Sequence, residues 1–133
     1  MIVIFLFSSK TAEQSSEMSG AVTETLFGGD SPFIETLEVA VRKSAHFLIF
    51  FAVGFCAANA AMQIIHNKKR VFLISLCFGS FYAATDEIHQ YFVPGRSCMW
   101  QDWVLDTMGV LAGTGAAFLI VWIINNIREK KKT

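Results

Sequence analysis

Three apolar stretches of the chain are each long enough to cross a hydrocarbon core as a helix. They cover residues 45–65, 71–93 and 103–124, and a membrane-spanning helix needs about 20 residues. Polar residues interrupt the second stretch near its end and the third near its start, yet each keeps the required length. The pattern predicts an all-α fold, a polytopic transmembrane helical bundle.

The N-terminal residues 1–7, MIVIFLF, form a shorter apolar run that ends at two serines. They have the pattern of the last two turns of a helix whose beginning is absent. We therefore expect three complete spans plus a truncated N-terminal one, all within a single membrane domain of residues 1–133. A signal peptide is the alternative, but no basic segment or small-residue cleavage site accompanies the run.

Residues 8–38 are polar and contain no aliphatic run, so they are expected to form a loop in water or at the interface. Met18, Val22 and Leu26 recur every four residues, as in a short amphipathic helix on a membrane surface. Ser31 resembles an N-cap, and Pro32 then occupies the first helical position. We expect the next helix to begin there and to enter the membrane further along.

Composition agrees with a membrane protein, because 53% of the 133 residues are apolar and the mean hydropathy is +0.46. The formal net charge is zero, which gives no case for nucleic-acid binding. Basic runs lie at residues 67–70 and 128–132, so both of these ends are predicted to be cytoplasmic by the positive-inside bias. The C-terminus is thus predicted to lie on the cytoplasmic side of the cell membrane, and residues 8–38 and 94–101 on the outer side.

On this topology, polar and ionisable residues from three helices come to one level near the outer face. Helical phase, at 100° per residue, also arranges them on stripes with small residues. These are Gly54, Ala57 and Ala61 on the first span, with Ala58 spaced four residues from Gly54; Ser75, Gly79 and Ala83 on the second, in line with Asp86 and Gln90; and Gly109 and Gly113 on the third. Small residues allow helices to pack closely in lipid, so we expect these stripes to face one another around a shared cavity. The set is Lys43, His46, Asp86, Glu87, Gln90, Arg96, Asp102 and Asp106.

Charges in a membrane must be paired, hydrated or functional, because one at the bilayer centre costs about 2.5–3.5 kcal/mol. One interpretation is structural: Lys43 and Arg96 neutralise carboxylates and lock the bundle. The other is a site, because the carboxylates outnumber these two cations. Lys43 and Arg96 suit an anionic group such as a phosphate.

In the site interpretation the expected roles divide into two groups. The candidate catalytic residues, which would handle a proton or a nucleophile, are Asp86, Glu87 and His46. The candidate substrate-binding residues are Lys43, Gln90, Arg96, Asp102 and Asp106.

No metal or other cofactor is expected from the sequence. No two histidines have the spacing of a zinc protease, and adjacent carboxylates such as Asp86 and Glu87 diverge by 100° on a helix. The three cysteines have no metal-ligand or disulfide pattern.

The same residues carry a resemblance to a known family. The strings are IFLFSS at residues 4–9, RKSAHF at 42–47, TDEIHQYFVPGR at 85–96, and Asp102 through Asp106 to Gly109. In order and spacing they resemble the VanZ-like family over nearly the whole chain. The sequence departs from the family pattern at Ile49 and Phe50, where members often carry a glutamate and a tyrosine, and in the shortened first helix.

The resemblance implies a small multi-pass protein associated with teicoplanin resistance at the cell envelope, and it supplies no catalytic residues. Our leading hypothesis is binding or modification of an envelope lipid, with an undecaprenyl-linked or phospholipid headgroup as ligand. The alternative is a non-enzymatic structural or interaction protein whose ion pairs hold the bundle together. A proton-coupled carrier ranks last, because only Asn59 and Gln63 are polar toward the inner face. Enzymatic activity and oligomeric state are left open.

Overall fold

The computed structural model describes residues 34–92 and 99–131, which form three helices. These are α1, Ile34–Ile64; α2, Lys68–Tyr91; and α3, Trp100–Lys130. Each is long and apolar enough to cross a membrane, which confirms the predicted all-α bundle with three complete spans. The truncated N-terminal span and the interfacial helix lie outside the described residues.

The helix bounds differ from the predicted spans mainly at their polar ends. Helix α1 begins at Ile34, close to the start expected at Ser31 and Pro32 and well before its apolar stretch. Helix α2 ends at Tyr91, two residues earlier than predicted, because Pro94 disfavours helical backbone in the residue before it. Helix α3 continues to Lys130, since nothing after its apolar stretch breaks a helix.

The connection between α1 and α2 is short, and Asn67 caps the second helix. The Asn67 side chain accepts hydrogen bonds from the backbone N–H groups of Lys69 and Arg70, at 3.0 and 3.2 Å. The predicted basic loop therefore forms the first turn of α2, with its basic residues exposed. Positive charge at a helix N-terminus opposes the helix dipole, so the dipole does not account for these residues.

Glycines bring α1 and α3 into the closest contact in the bundle. A Cβ on Gly54 of α1 would collide with the backbone of Val110, and one on Gly113 of α3 would collide with the backbone of Phe51. A Cβ on Gly109 would lie 2.6 Å from the Phe47 carbonyl oxygen. Without a Cβ at these positions the two backbones pack directly against each other, as small residues allow in lipid.

Helix α2 packs against this pair through its own small residues. The predicted α2 stripe of Ser75, Gly79, Ala83, Asp86 and Gln90 is entirely buried. At its middle, the Val110 side chain fills the space that a Cβ on Gly79 would need. Large apolar side chains cover the outward faces of the helices and are exposed in the isolated chain, as expected of residues that contact lipid.

Candidate functional site

The predicted polar residues lie together at one end of the bundle, near the end of α2 and the start of α3. We call them the polar cluster. Its described members are Lys43 and His46 of α1, Asp86, Glu87 and Gln90 of α2, and Asp102 and Asp106 of α3. Arg96, the remaining predicted member, lies outside the described residues.

Lys43 and Asp102 form an ion pair between α1 and α3. The Lys43 Nζ atom is 2.8 Å from Asp102 Oδ1, and their side chains are 39% and 30% exposed. The sequence predicted that Lys43 would neutralise a carboxylate of this set but did not choose among three aspartates. Because the pair is part-exposed, its net stabilisation is about 0–1 kcal/mol, so another partner can compete for either member.

Three side chains from three helices meet deeper in the cluster, and we call them the interhelical triad. They are His46, Asp86 and Asp106, whose ligand atoms lie within 4.8 Å of one another. The His46 Nδ1 atom is 3.7 Å from Asp106 Oδ2, and Gln90 donates to Asp86 Oδ2 at 2.9 Å. The triad unites residues that the sequence assigned to separate catalytic and binding roles.

Glu87 has a different environment from its neighbour Asp86. Its Oε2 atom accepts a hydrogen bond from the backbone N–H of Met99 at 3.1 Å. It thus ties the end of α2 to the residue that precedes α3. The side chain is buried and interacts electrostatically with the three aspartates of the cluster. Its expected role as a proton carrier stays a prediction.

Further contacts fix α2 against α3 beside the cluster. Trp103 Nε1 donates to the Ser80 carbonyl at 3.1 Å, and the Ser80 and Thr107 hydroxyls are 3.2 Å apart. Neither Ser80 nor Thr107 is predicted from the sequence, because an isolated hydroxyl in an apolar helix gives no pattern. The contacts of Trp103, Ser80 and Thr107 hold in place the helix ends that carry the charged residues.

A cavity opens between α1 and α3 beside the ion pair. Its volume is about 360 Å³, within the range of small-molecule sites. It is lined by Lys43, Ser44, Phe47, Leu48 and Leu105. Lys43 and Ser44 provide a polar end, and the other three residues provide apolar walls. Among these five, the sequence predicted Lys43 alone as a binding residue, because the others depend on how α1 and α3 are rotated.

The fold and the polar cluster together define a multi-pass helical membrane protein whose charged residues gather at one level of the bundle. A family model described as VanZ/LLP1 matches residues 1–123. The chain therefore belongs to the VanZ/LLP1 family, which confirms the resemblance found in the sequence. No curated protein and no solved structure matches the chain.

Proposed function

We propose that this protein binds the phosphate-bearing headgroup of an envelope lipid, and that this binding underlies an association with teicoplanin resistance. The observation that carries the proposal is the cavity beside the Lys43–Asp102 pair. Its polar end has a lysine ammonium, and its walls are apolar. A phosphate attached to a long apolar tail matches both parts of this cavity.

The ion pair leaves Lys43 able to change partners. Its Nζ atom lies 2.8 Å from Asp102, and both side chains are part-exposed. Exchanging the carboxylate for a phosphate oxygen therefore costs little stabilisation energy. A lysine ammonium binds phosphate as a point charge with three donors. Arg96, expected in the turn after α2, is the second cation in this proposal.

The charges at the opposite ends of the helices support one orientation in the membrane. Lys68, Lys69 and Arg70 open α2, and Arg128 and Lys130 lie in the last turn of α3. The positive-inside bias assigns such residues to the cytoplasm. In this proposal the polar cluster therefore faces the outer leaflet, and the C-terminus is cytoplasmic.

Lys43→Ala is expected to weaken binding of phosphate lipids about 10-fold or more, because a hydrogen bond to a charged group contributes about 1.5–3 kcal/mol. The measurement is native mass spectrometry of the full chain with undecaprenyl phosphate, phosphatidylglycerol and undecaprenol. Undecaprenol has the same tail as the first lipid but no phosphate, so its binding should be weak and unchanged by the substitution. The comparison of the first two lipids identifies which phosphate headgroup is preferred.

Lys68→Ala is the matched control, because Lys68 is an exposed lysine at the start of α2, far along the helix from the polar cluster. It should bind all three lipids as the wild-type chain does. In a host made teicoplanin-resistant by this protein, Lys43→Ala should restore susceptibility and Lys68→Ala should not. Equal binding of undecaprenol and undecaprenyl phosphate by the wild-type chain would contradict the proposal.

The second candidate function is a non-enzymatic structural or interaction protein. The contacts between helix ends favour it, because Lys43 joins α1 to α3 while Glu87 and Trp103 join α2 to the start of α3. In this case the polar residues would hold the bundle together and a helix face would contact an envelope partner.

Exchanging the charges of the ion pair separates the two candidates. Lys43→Asp alone places two carboxylates together and should lower the thermal midpoint, and adding Asp102→Lys should restore it. A headgroup site predicts that the double variant remains unable to confer resistance, because the cation has moved to α3. A structural network predicts that resistance returns together with stability, and that result would favour the second candidate.

A further inference from the structure

The interhelical triad combines donor atoms that metal ions use, and it takes one from each helix. His46 offers an imidazole nitrogen, and Asp86 and Asp106 offer carboxylate oxygens, all within 4.8 Å of one another. Zinc is bound by this donor set, and sites with three protein ligands keep a further position open for water or substrate. Manganese and iron also accept nitrogen and carboxylate donors.

Asp106 gives an independent indication that a ligand is missing from its surroundings. Its side chain is 1% exposed, and neither carboxylate oxygen has a hydrogen-bond partner among the described residues. Within the triad, His46 Nδ1 lies 3.7 Å from Asp106 Oδ2. Buried polar groups are normally hydrogen-bonded, and a bound cation would satisfy both oxygens and neutralise their charge.

Charge and distance both fit one divalent cation. Two carboxylates and a neutral imidazole carry two negative charges, which one divalent ion neutralises. Zinc bonds to nitrogen and oxygen are about 2.0–2.2 Å long, so donors around a tetrahedral ion lie about 3.3–3.6 Å apart. On binding, the longest distance between ligand atoms in the triad would shorten by up to about 1.2–1.5 Å, which side-chain rotations can provide.

The surroundings also resemble those of a metal site. Gln90 donates to one oxygen of Asp86, and since a carboxylate has two oxygens, the other can bind a cation while this bond holds the group. Such supporting bonds orient metal ligands. The His46 side chain is 23% exposed, which provides a path of entry.

We propose that His46, Asp86 and Asp106 bind one divalent transition-metal ion, with zinc as the best match to the donor set. This departs from the absence of a metal expected from the sequence. That expectation considered spacing along single helices, whereas the three ligands come from three helices. The proposal does not rest on headgroup binding, because metal binding is measured without phosphate lipid.

The test uses the full chain purified in a phosphate-free maltoside detergent and stripped of metal with a chelator. After incubation with Zn²⁺ or Mn²⁺ and desalting, elemental analysis should find about one ion per chain, and titration calorimetry should give the affinity. Asp106→Asn and His46→Gln should each weaken binding more than about 100-fold, since even supporting residues contribute 10–100-fold. Co²⁺ bound in place of Zn²⁺ should give visible absorption bands in the wild-type chain that both variants lack.

Asp102→Asn is the matched control, because it makes the same substitution on the same helix one turn earlier, at a residue paired with Lys43. It should bind one ion with nearly wild-type affinity. Size-exclusion profiles and helical circular dichroism should match among all chains, so that loss of binding reports the ligands and not the fold. No stoichiometric metal in the wild-type chain, or equal binding by Asp106→Asn and Asp102→Asn, would overturn the proposal.

Discussion

Replacing Gly113 with alanine is expected to force α1 and α3 apart and to lower the free energy of unfolding. Overpacking usually costs about 1–3 kcal/mol. The added Cβ would collide with the carbonyl group of Phe51 and approach the backbone nitrogen of Phe55 at 2.9 Å. A flexible side chain could rotate away, but helix backbone cannot. The effect should therefore lie at the upper end of this range or beyond it, and the thermal midpoint of the detergent-solubilised protein measures it.

Gly115→Ala is the control, because a Cβ at Gly115 would meet no atom of a neighbouring helix within 4 Å. It lies two residues away on α3 and should be neutral or slightly stabilising, since alanine is favoured over glycine inside a helix by about 0.5–1 kcal/mol. Equal thermal midpoints for the Gly113 and Gly115 variants would show that α1 and α3 do not pack in this way.

The helical period explains how much of the fold and the polar cluster could be predicted from sequence. Because 3.6 residues complete a turn, the phase of Gly79, Ala83 and Asp86 placed them on one face before any neighbour was known, and all three are buried. Helical phase predicts the buried face of α1 less exactly, because Ala58 is buried and Ala57 is only partly buried. Sequence alone listed both residues as small packing positions.

Contacts between helices could not be predicted in the same way. They depend on the rotation and height of each helix relative to its neighbours, and these are set by backbone contacts at Gly54, Gly109 and Gly113. For this reason the sequence gathered the charged residues at one level but did not pair Lys43 with Asp102. It also gave no sign that His46 and two aspartates from other helices would meet.

Asp106→Asn is expected to abolish any resistance that the protein confers while raising its thermal stability in the presence of a chelator. The substitution keeps the shape of the side chain and removes a charge that is 1% exposed. A charge costs up to about 2.5–3.5 kcal/mol at the bilayer centre and less toward the interface, so its removal should stabilise the fold. The asparagine amide can donate as well as accept a hydrogen bond, so it is better suited than a carboxylate to a place beside Asp86. The native aspartate then lowers the stability of the protein, and a functional role explains why it is present.

Asp102→Asn should behave differently, because its carboxylate is part-exposed and paired with Lys43, so its removal should lower stability by no more than about 1 kcal/mol. The measurements are thermal midpoints with and without chelator, alongside teicoplanin susceptibility of a host that carries each variant. A metal ion should raise the midpoint of the wild-type chain and leave that of Asp106→Asn unchanged, since only a ligand that binds the native state stabilises it. If Asp106→Asn instead lowers the midpoint in chelator and keeps resistance, the carboxylate contributes to packing alone, and the structural interpretation of the polar cluster takes precedence.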